Sequence, residues 1–494
     1  MDSLKHKMAN KKEVFWFFIL ISLFLFLRLY RLGYHDFWYD EIFTVSYARQ
    51  PWGNWNAPLY WILLHFWTKL FGISEISLRL PSALFSFSSI VFVYLIAKRL
   101  FDKRVGIISS LLIGLSPFHL WYAQEARDYS MTLFLGTLSS YLLLRALKRG
   151  HIRNWLVFIL VSIMGLYTSY FYIPLLYVHF LYVILTKKKT IAFNEVFSFS
   201  VIILGFSFFI PQFIRKFYAV WHGFWVPEPT ARSLLITLEN FLLGYNGSSA
   251  LYIASSAIIG MVFLSLFFSM RKSDLRQRVK FCAILSIVPL LLVFAFSKRF
   301  FSIYLDRGLI LFSPYFYILL AVGLVSLHKR LRVFLIAAFL IMLIAADYGY
   351  FADIMESPIE HHNGTYIKKP IKPLTRFLIS NIGAGDIAGY TNECVIPSVL
   401  FYAQEGLSPF YFFFDPRIPD SSWKFLHSPG GYNVPFYDIG GLKFDKLWVI
   451  SSDWSRNGKL DEVSRVVKDW LDNNLALESA KEIDGVWVYR YAKR

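Results

Sequence analysis

Two adjacent carboxylates, Asp40 and Glu41, follow the first long apolar segment, in the stretch Tyr34-His35-Asp36-Phe37-Trp38-Tyr39-Asp40-Glu41. Carrying a carboxylate into hydrocarbon costs several kcal/mol, roughly 2.5 or more for Asp at a helix centre, so a pair beside an apolar run marks a wet site. Further along lies Ser116-Pro117-Phe118-His119-Leu120-Trp121-Tyr122-Ala123-Gln124-Glu125-Ala126-Arg127-Asp128-Tyr129, with five polar or charged side chains between Gln124 and Tyr129. Later come Lys298, Arg299, Asp306 and Arg307. Carboxylates and arginines gathered at one lipid interface suit attack by a hydroxyl on a sugar whose leaving group is a lipid phosphate. A carboxylate takes the acceptor proton as the bond forms. The departing phosphate needs a fixed cation, and Arg offers a planar, always charged fork. Aromatic side chains such as Trp38, Tyr39 and Tyr170 can hold a sugar face or a prenyl tail.

Each of these residues has a plainer alternative. Asp40 and Glu41 would also fit a solvated loop, Arg127 an ion pair with Glu125 or Asp128, and Arg299 and Arg307 snorkelling at span ends. The tyrosines and tryptophans fit an ordinary interfacial belt.

The elements that position these groups are membrane spans. The chain has 494 residues, 56% hydrophobic and 19% aromatic but only 17% charged, with a mean hydropathy of +0.47. That composition is polytopic. The net charge of +18 sits in short basic runs between apolar segments, as bilayer orientation requires, and does not point to nucleic acid. Basic runs at residues 5–12, 98–104, 145–153, 187–189, 271–280 and 328–332 are all cytoplasmic if even numbers of spans separate them. The spans are then 14–32, 80–99, 105–121, 129–147, 154–170, 171–186, 193–211, 250–270, 279–297, 308–327 and 332–350, about eleven. Residues 58–72 are too short to cross and carry His65 and Lys69, which suits an interfacial helix in the first outer loop. The N-terminal run lacks a small-residue cleavage site and reads as an uncleaved anchor.

With the N-terminus inside, the candidate residues share the outer face, together with everything after residue 351. Residues 1–350 read as a membrane domain and 351–494 as a small α/β domain outside it. Phe410–Phe414, Lys446–Ser451 and Val486–Tyr491 read as buried strands. Residues 460–472 place Leu460, Val463, Val467, Trp470 and Leu471 on one helical face, with Asp461 and Glu462 in the first turn. If residues 124–131 begin a helix, Gln124 shares a face with Asp128, and Glu125 with Tyr129. Asn363-Gly364-Thr365 is a glycosylation acceptor sequence. Cys282 and Cys394 support neither a disulfide framework nor a metal site.

The ordered series Tyr39-Asp40-Glu41, Ala57-Pro58-Leu59-Tyr60, Phe71-Gly72-Ile73-Ser74, Leu78-Arg79-Leu80-Pro81-Ser82-Ala83-Leu84, Ser116-Pro117 and Trp121 through Tyr129 resembles the GT-C membrane glycosyltransferases. Among these it is most similar to the protein O-mannosyltransferase and aminoarabinose transferase group. The resemblance covers about residues 14–190 well. It implies a polyprenyl phosphate sugar donor and inverting transfer to a protein, lipid or glycan acceptor on the non-cytoplasmic face. It also implies Asp40 as base, with Glu41 as its supporting neighbour. Arg307 becomes the first candidate for the donor phosphate, with Arg299 in reserve and Arg127 beside them. Gln124, Glu125, Asp128, Tyr129, Trp38, Tyr39 and Tyr170 become candidates for substrate contact. Ala57-Pro58 stands where relatives often have Pro-Pro. Some relatives need a divalent cation, which Asp40 and Glu41 would be placed to join, but no His cluster or spaced carboxylate triad argues for one. A transporter or flippase would instead carry ionisable groups at mid-membrane depth. A non-catalytic assembly protein would leave the two acidic clusters without a use.

Overall fold

The computed structural model describes residues 18–52, 57–186, 193–354, 358–362, 368, 370–391, 395–404, 407, 410–414, 431–452 and 462–494. Asn363, Cys394, Leu460 and Asp461, and the side chains of Glu462 and Val463, lie outside them. The chain forms two compact units. The first comprises Met1–Leu32 and Tyr47–Gly364, the second Gly33–Ser46 and Thr365–Arg494. The segment bearing Asp40 and Glu41 thus belongs with the C-terminal unit.

In the first unit, six helices among the described residues are long and apolar enough to cross a membrane: Glu75–Leu100, Tyr129–Arg149, Ser249–Ser269, Ser273–Arg299, Gly308–Ser326 and Lys329–Phe351. Two more spans arise if bent pairs are counted, Lys103–Gly114 with Pro117–Ala123 at 61° and Phe193–Ser207 with Ile210–Trp221 at 69°. The sequence reads 105–121 and 193–211 as single spans. A proline explains the first bend: Pro117 opens the second helix of its pair, and the residue before a proline is pushed out of helical conformation. In the second pair Pro211 sits in the first turn of Ile210–Trp221, where its missing N–H costs nothing. Ser116 is extended at φ −71°, ψ 121°. Phe18–Leu29, Ile152–Leu166 and Tyr172–Thr186 are shorter apolar helices. Leu59–Phe71 is a separate helix of 13 residues, below bilayer length. The helix Ala231–Leu243 lies in a stretch the sequence leaves as loop.

Gly308–Ser326 is the centre of this unit, 94% of its apolar window being buried. A helix apolar all round belongs inside others. Tyr129–Arg149 approaches it closely because Gly136 has no side chain: a Cβ there would lie 1.9 Å from Leu311 Cδ1. Small residues permit this kind of apposition in membrane bundles.

The second unit is built on a six-stranded sheet: β1 Ile387–Tyr390, β2 Phe410–Phe414, β3 Gly431–Pro435, β4 Lys446–Ser452, β5 Leu475–Ile483 and β6 Val486–Lys493, in the order β3-β2-β1-β4-β6-β5. The first four run parallel, and β6 is antiparallel to both β4 and β5. Apolar clusters cover both faces. One joins Leu374, Leu378 and Val399 to Tyr390, Phe410 and Trp448, while the other joins Val467 and Leu471 to Phe413, Leu447 and Tyr491. Both faces being buried, β4 reads as a continuous apolar run, as parallel strands do.

Gly389 sits in β1 where a Cβ would lie 1.8 Å from Phe413 Cε2. Gly389→Ala is expected to destabilise the second unit by about 2 kcal/mol through overpacking. The check is a lower thermal midpoint of the purified full chain and faster proteolysis within residues 365–494.

Candidate active site

Asp40 and Glu41 open the helix Tyr39–Arg49, where the helix dipole favours negative charge. Neighbours on a helix point about 100° apart, so the two carboxylates cannot do the same work. Glu41 is fully buried, and its Oε2 accepts from the Trp38 backbone N–H at 3.5 Å. That is the reach-back half of a capping box. Asp40 stays half-buried; its backbone carbonyl accepts from Thr44 Oγ1 at 3.3 Å. Trp38 is buried, and the Tyr39 ring lies edge-on to Phe43 at 5.0 Å.

In the first unit the polar centre is Asp306. Its Oδ2 accepts from Asn240 Nδ2 at 2.7 Å and from the Tyr245 hydroxyl at 3.0 Å. Its Oδ1 accepts from the Arg307 backbone N–H at 2.7 Å. Burial holds the Asp306 carboxyl above its ordinary range, while these hydrogen bonds and the Arg307 charge pull it back. Arg307, itself buried, places its guanidinium 5.4 Å from the centre of the Trp225 ring. It directly precedes the central helix, so the best-packed element of the unit fixes its backbone. The Tyr122 and Tyr245 hydroxyls lie 2.6 Å apart, and the charges of Asp306, Glu125 and Arg307 all act on Tyr122. Glu125 Oε1 accepts from Trp121 Nε1 at 2.6 Å. Glu125, Asp306 and Arg307 are thus brought together around one tyrosine.

The other sequence candidates divide. Residues 124–128 form a turn between Pro117–Ala123 and Tyr129–Arg149, which corrects the reading of 124–131 as one helical start. The Gln124 side chain anchors this turn to the first helix and to Tyr350. Its Nε2 donates to the carbonyls of Leu27, Arg28 and Tyr30 at 2.8–3.3 Å, and its Oε1 accepts from the Tyr350 hydroxyl at 2.8 Å. Asp128 occupies the N-cap position of Tyr129–Arg149. Arg127 lies over the Trp61 and Tyr129 rings at 5.5 and 5.9 Å, and it acts electrostatically on Lys216. Tyr170 stacks on Phe209 at 6.2 Å. Arg299 is exposed, over Phe300 at 5.5 Å.

Sequence reasoning missed Asn240, Tyr245 and Trp225. It also missed the buried pair of His361 Nε2 and Glu239 Oε2 at 2.9 Å. The His361 carbonyl accepts from Asn240 at 3.0 Å, which ties this pair to Asp306. One signal was available: Glu239-Asn240 interrupts an apolar run much as Asp40-Glu41 follows one. Among the described residues no group of three His, Cys, Asp or Glu side chains is placed to hold a metal, and no chemical step is assigned to one.

Asp306→Ala strands the buried donors of Asn240 and Tyr245, so a loss of about 3 kcal/mol is expected. Thermal unfolding in detergent, compared with Asp306→Asn, which keeps one acceptor, measures it.

Residues 56–214 match the family described as dolichyl-phosphate-mannose-protein mannosyltransferase. A comparison with curated proteins finds no significant match. Among solved structures, the chain is similar to ArnT from Cupriavidus metallidurans in the apo state, at 12% identity and a TM-score of 0.62 over 97% of this chain and 98% of that one. It is similar to the same protein bound to undecaprenyl phosphate, at 13% identity and a TM-score of 0.60 over 96% and 98%. The Archaeoglobus fulgidus oligosaccharyltransferase, tethered to an acceptor peptide containing the NVT sequon, aligns at 11% identity and a TM-score of 0.51 over 89% and 69%. In sequence over residues 56–214 and in fold over nearly its whole length, the chain resembles the GT-C membrane glycosyltransferases.

Proposed function

We propose that this protein transfers a sugar from a polyprenyl phosphate carrier, dolichyl or undecaprenyl, to a hydroxyl-bearing acceptor outside the cytoplasm, with inversion at the anomeric carbon. The observation that carries the reading is the shared fold, across 96% of this chain, with a protein whose structure holds undecaprenyl phosphate. Asp40 takes the acceptor proton as the new carbon–oxygen bond forms, and Glu41 supports it by fixing the start of the helix. The bond from the anomeric carbon to the phosphate oxygen breaks, and its electron pair leaves on the phosphate. Arg307 holds that charge, with Arg127 and Arg299 as secondary cations. Burial beside Asp306 and Trp225 favours Arg307 over exposed Arg299, because a fixed guanidinium loses little entropy on binding. Glu125, Gln124, Asp128, Tyr129, Trp38, Tyr39 and Tyr170 flank the sugar and acceptor.

In this reading six long helices, two bent pairs and three shorter helices all span, eleven in all. The N-terminus is cytoplasmic, Leu59–Phe71 lies at the interface, and the C-terminal unit is extracytoplasmic.

The decisive assay is transfer of labelled sugar from a panel of polyprenyl phosphate donors in membranes, with native envelope extract as acceptor source. Asp40→Asn is expected to lower kcat by at least about a hundred-fold, while the Kd for undecaprenyl phosphate stays within about two-fold. Arg307→Ala is expected to raise that Kd by ten-fold or more. Normal turnover by Asp40→Asn removes the base assignment, and an unchanged Kd in Arg307→Ala removes the phosphate assignment.

A further inference from the structure

The three residues directly before the helix Tyr39–Arg49 are each held. Asp36, 8% exposed, receives the backbone N–H of Lys372 on Oδ2 at 2.7 Å, and Lys372 Nζ lies 3.3 Å from its Oδ1. Phe37, 1% exposed, donates its backbone N–H to the Tyr402 hydroxyl at 2.7 Å, and its ring meets Phe401 edge-on at 5.6 Å. Trp38 donates its backbone N–H to Glu41, as described. Asp40 follows two residues later.

The partners of Asp36 and Phe37 come from two helices of the C-terminal unit, Ile371–Asn381 and Ile396–Ala403. The first begins after Pro370, whose side chain makes no cap hydrogen bond. Asp36 supplies the missing acceptor from far away in the chain, at the helix end where negative charge is favoured. Lys372 Nζ also lies 5.0 Å from the centre of the Tyr402 ring, so the two tethers brace each other.

We infer that Asp36, Lys372 and Tyr402 are positioning residues for Asp40, and that the C-terminal unit serves catalysis by holding the segment that carries the base. This rests on the reading of Asp40 as the base. The three residues act through the helix start rather than by touching the reacting atoms, and a displacement of about 1 Å in a catalytic group can cost a hundred-fold in rate.

The test uses the full-length protein in detergent and a polyprenyl phosphate donor that the wild type consumes. Asp36→Ala is expected to lower kcat by about a hundred-fold, with the KM for donor within two-fold. Asp36→Asn, which keeps an oxygen for the Lys372 N–H, is expected to recover most of that loss. Tyr402→Phe, which removes the tether of Phe37, and Lys372→Met, which removes the ion pair but keeps the backbone hydrogen bond to Asp36, are expected to fall in between. Glu478→Gln breaks an ion pair with Lys446 and Arg490 elsewhere in the same unit and is expected to leave kcat unchanged. A double-mutant cycle separates positioning from lost folded protein. If Asp36 acts through Asp40, adding Asp36→Ala to Asp40→Asn costs nothing further. If it only stabilises the fold, the two losses multiply, and the inference is overturned. Wild-type kcat in Asp36→Ala also overturns it, provided Asp40→Asn is inactive. An active Asp40→Asn would instead sink the underlying reading of the base.

Discussion

A charge kept inside a membrane protein has to be met by hydrogen-bond partners of the right sense, donors for an anion and acceptors for a cation, or by an opposite charge, because hydrocarbon offers neither. Asp306 shows this requirement in the first unit. Asn240, Tyr245 and the Arg307 amide all point at one carboxylate. The helix Ala231–Leu243, the turn at Tyr245 and the start of the central helix are therefore mutually fixed. Arg28 shows the same rule elsewhere: fully buried, it donates to Ser86 Oγ and to the carbonyls of Phe24 and Gly114 at 3.0–3.1 Å. Gln124 closes the same region by capping carbonyls from Leu27 to Tyr30. Polar side chains thus tie together helices that are distant in the chain.

The two units solve burial differently. In the first, backbone groups are satisfied within helices, so polar side chains are spent where a helix breaks, as at Ser116-Pro117. In the second, a parallel core is flanked by the antiparallel pair β5 and β6. The edge strand β5 carries Glu478, Lys481 and Glu482, and charges of this kind discourage pairing with another chain. Glu478 sits between Lys446 and Arg490, and the Lys446 hydrogen bond is the main reason its carboxyl lies below the ordinary range.

Much of this was legible in the sequence for simple reasons. Long apolar runs give away spans, and the largely apolar stretches of β2, β4 and β6 give away buried strands. β1 was missed because it has only four residues and includes Gly389. β3 was missed because Gly431, Asn433 and Pro435 read as turn, and β5 because its exposed face is charged. The bend at Ser116-Pro117 was written in the proline, yet hydropathy alone averages across it and across the break at Phe208-Phe209. Among candidate residues, pooling polar groups at one face found Glu125, Asp306 and Arg307, which do cluster. It could not find Asn240, Tyr245 and Trp225, because partners distant in sequence leave no periodic trace. Nor could it separate Glu41, spent on its own helix start, from Asp40, since both carry the same chemistry.

The tethers of residues 36 and 37 also dictate an order of assembly. Asp36 and Lys372 are 336 positions apart, and Phe37 and Tyr402 are 365. During synthesis the acidic segment emerges early and must wait while every later membrane helix is made before its partners leave the ribosome. Loop closure over such a distance is slow and cannot start sooner. A nascent chain interrupted anywhere in the membrane helices after Asp40 would therefore carry it on an unanchored segment.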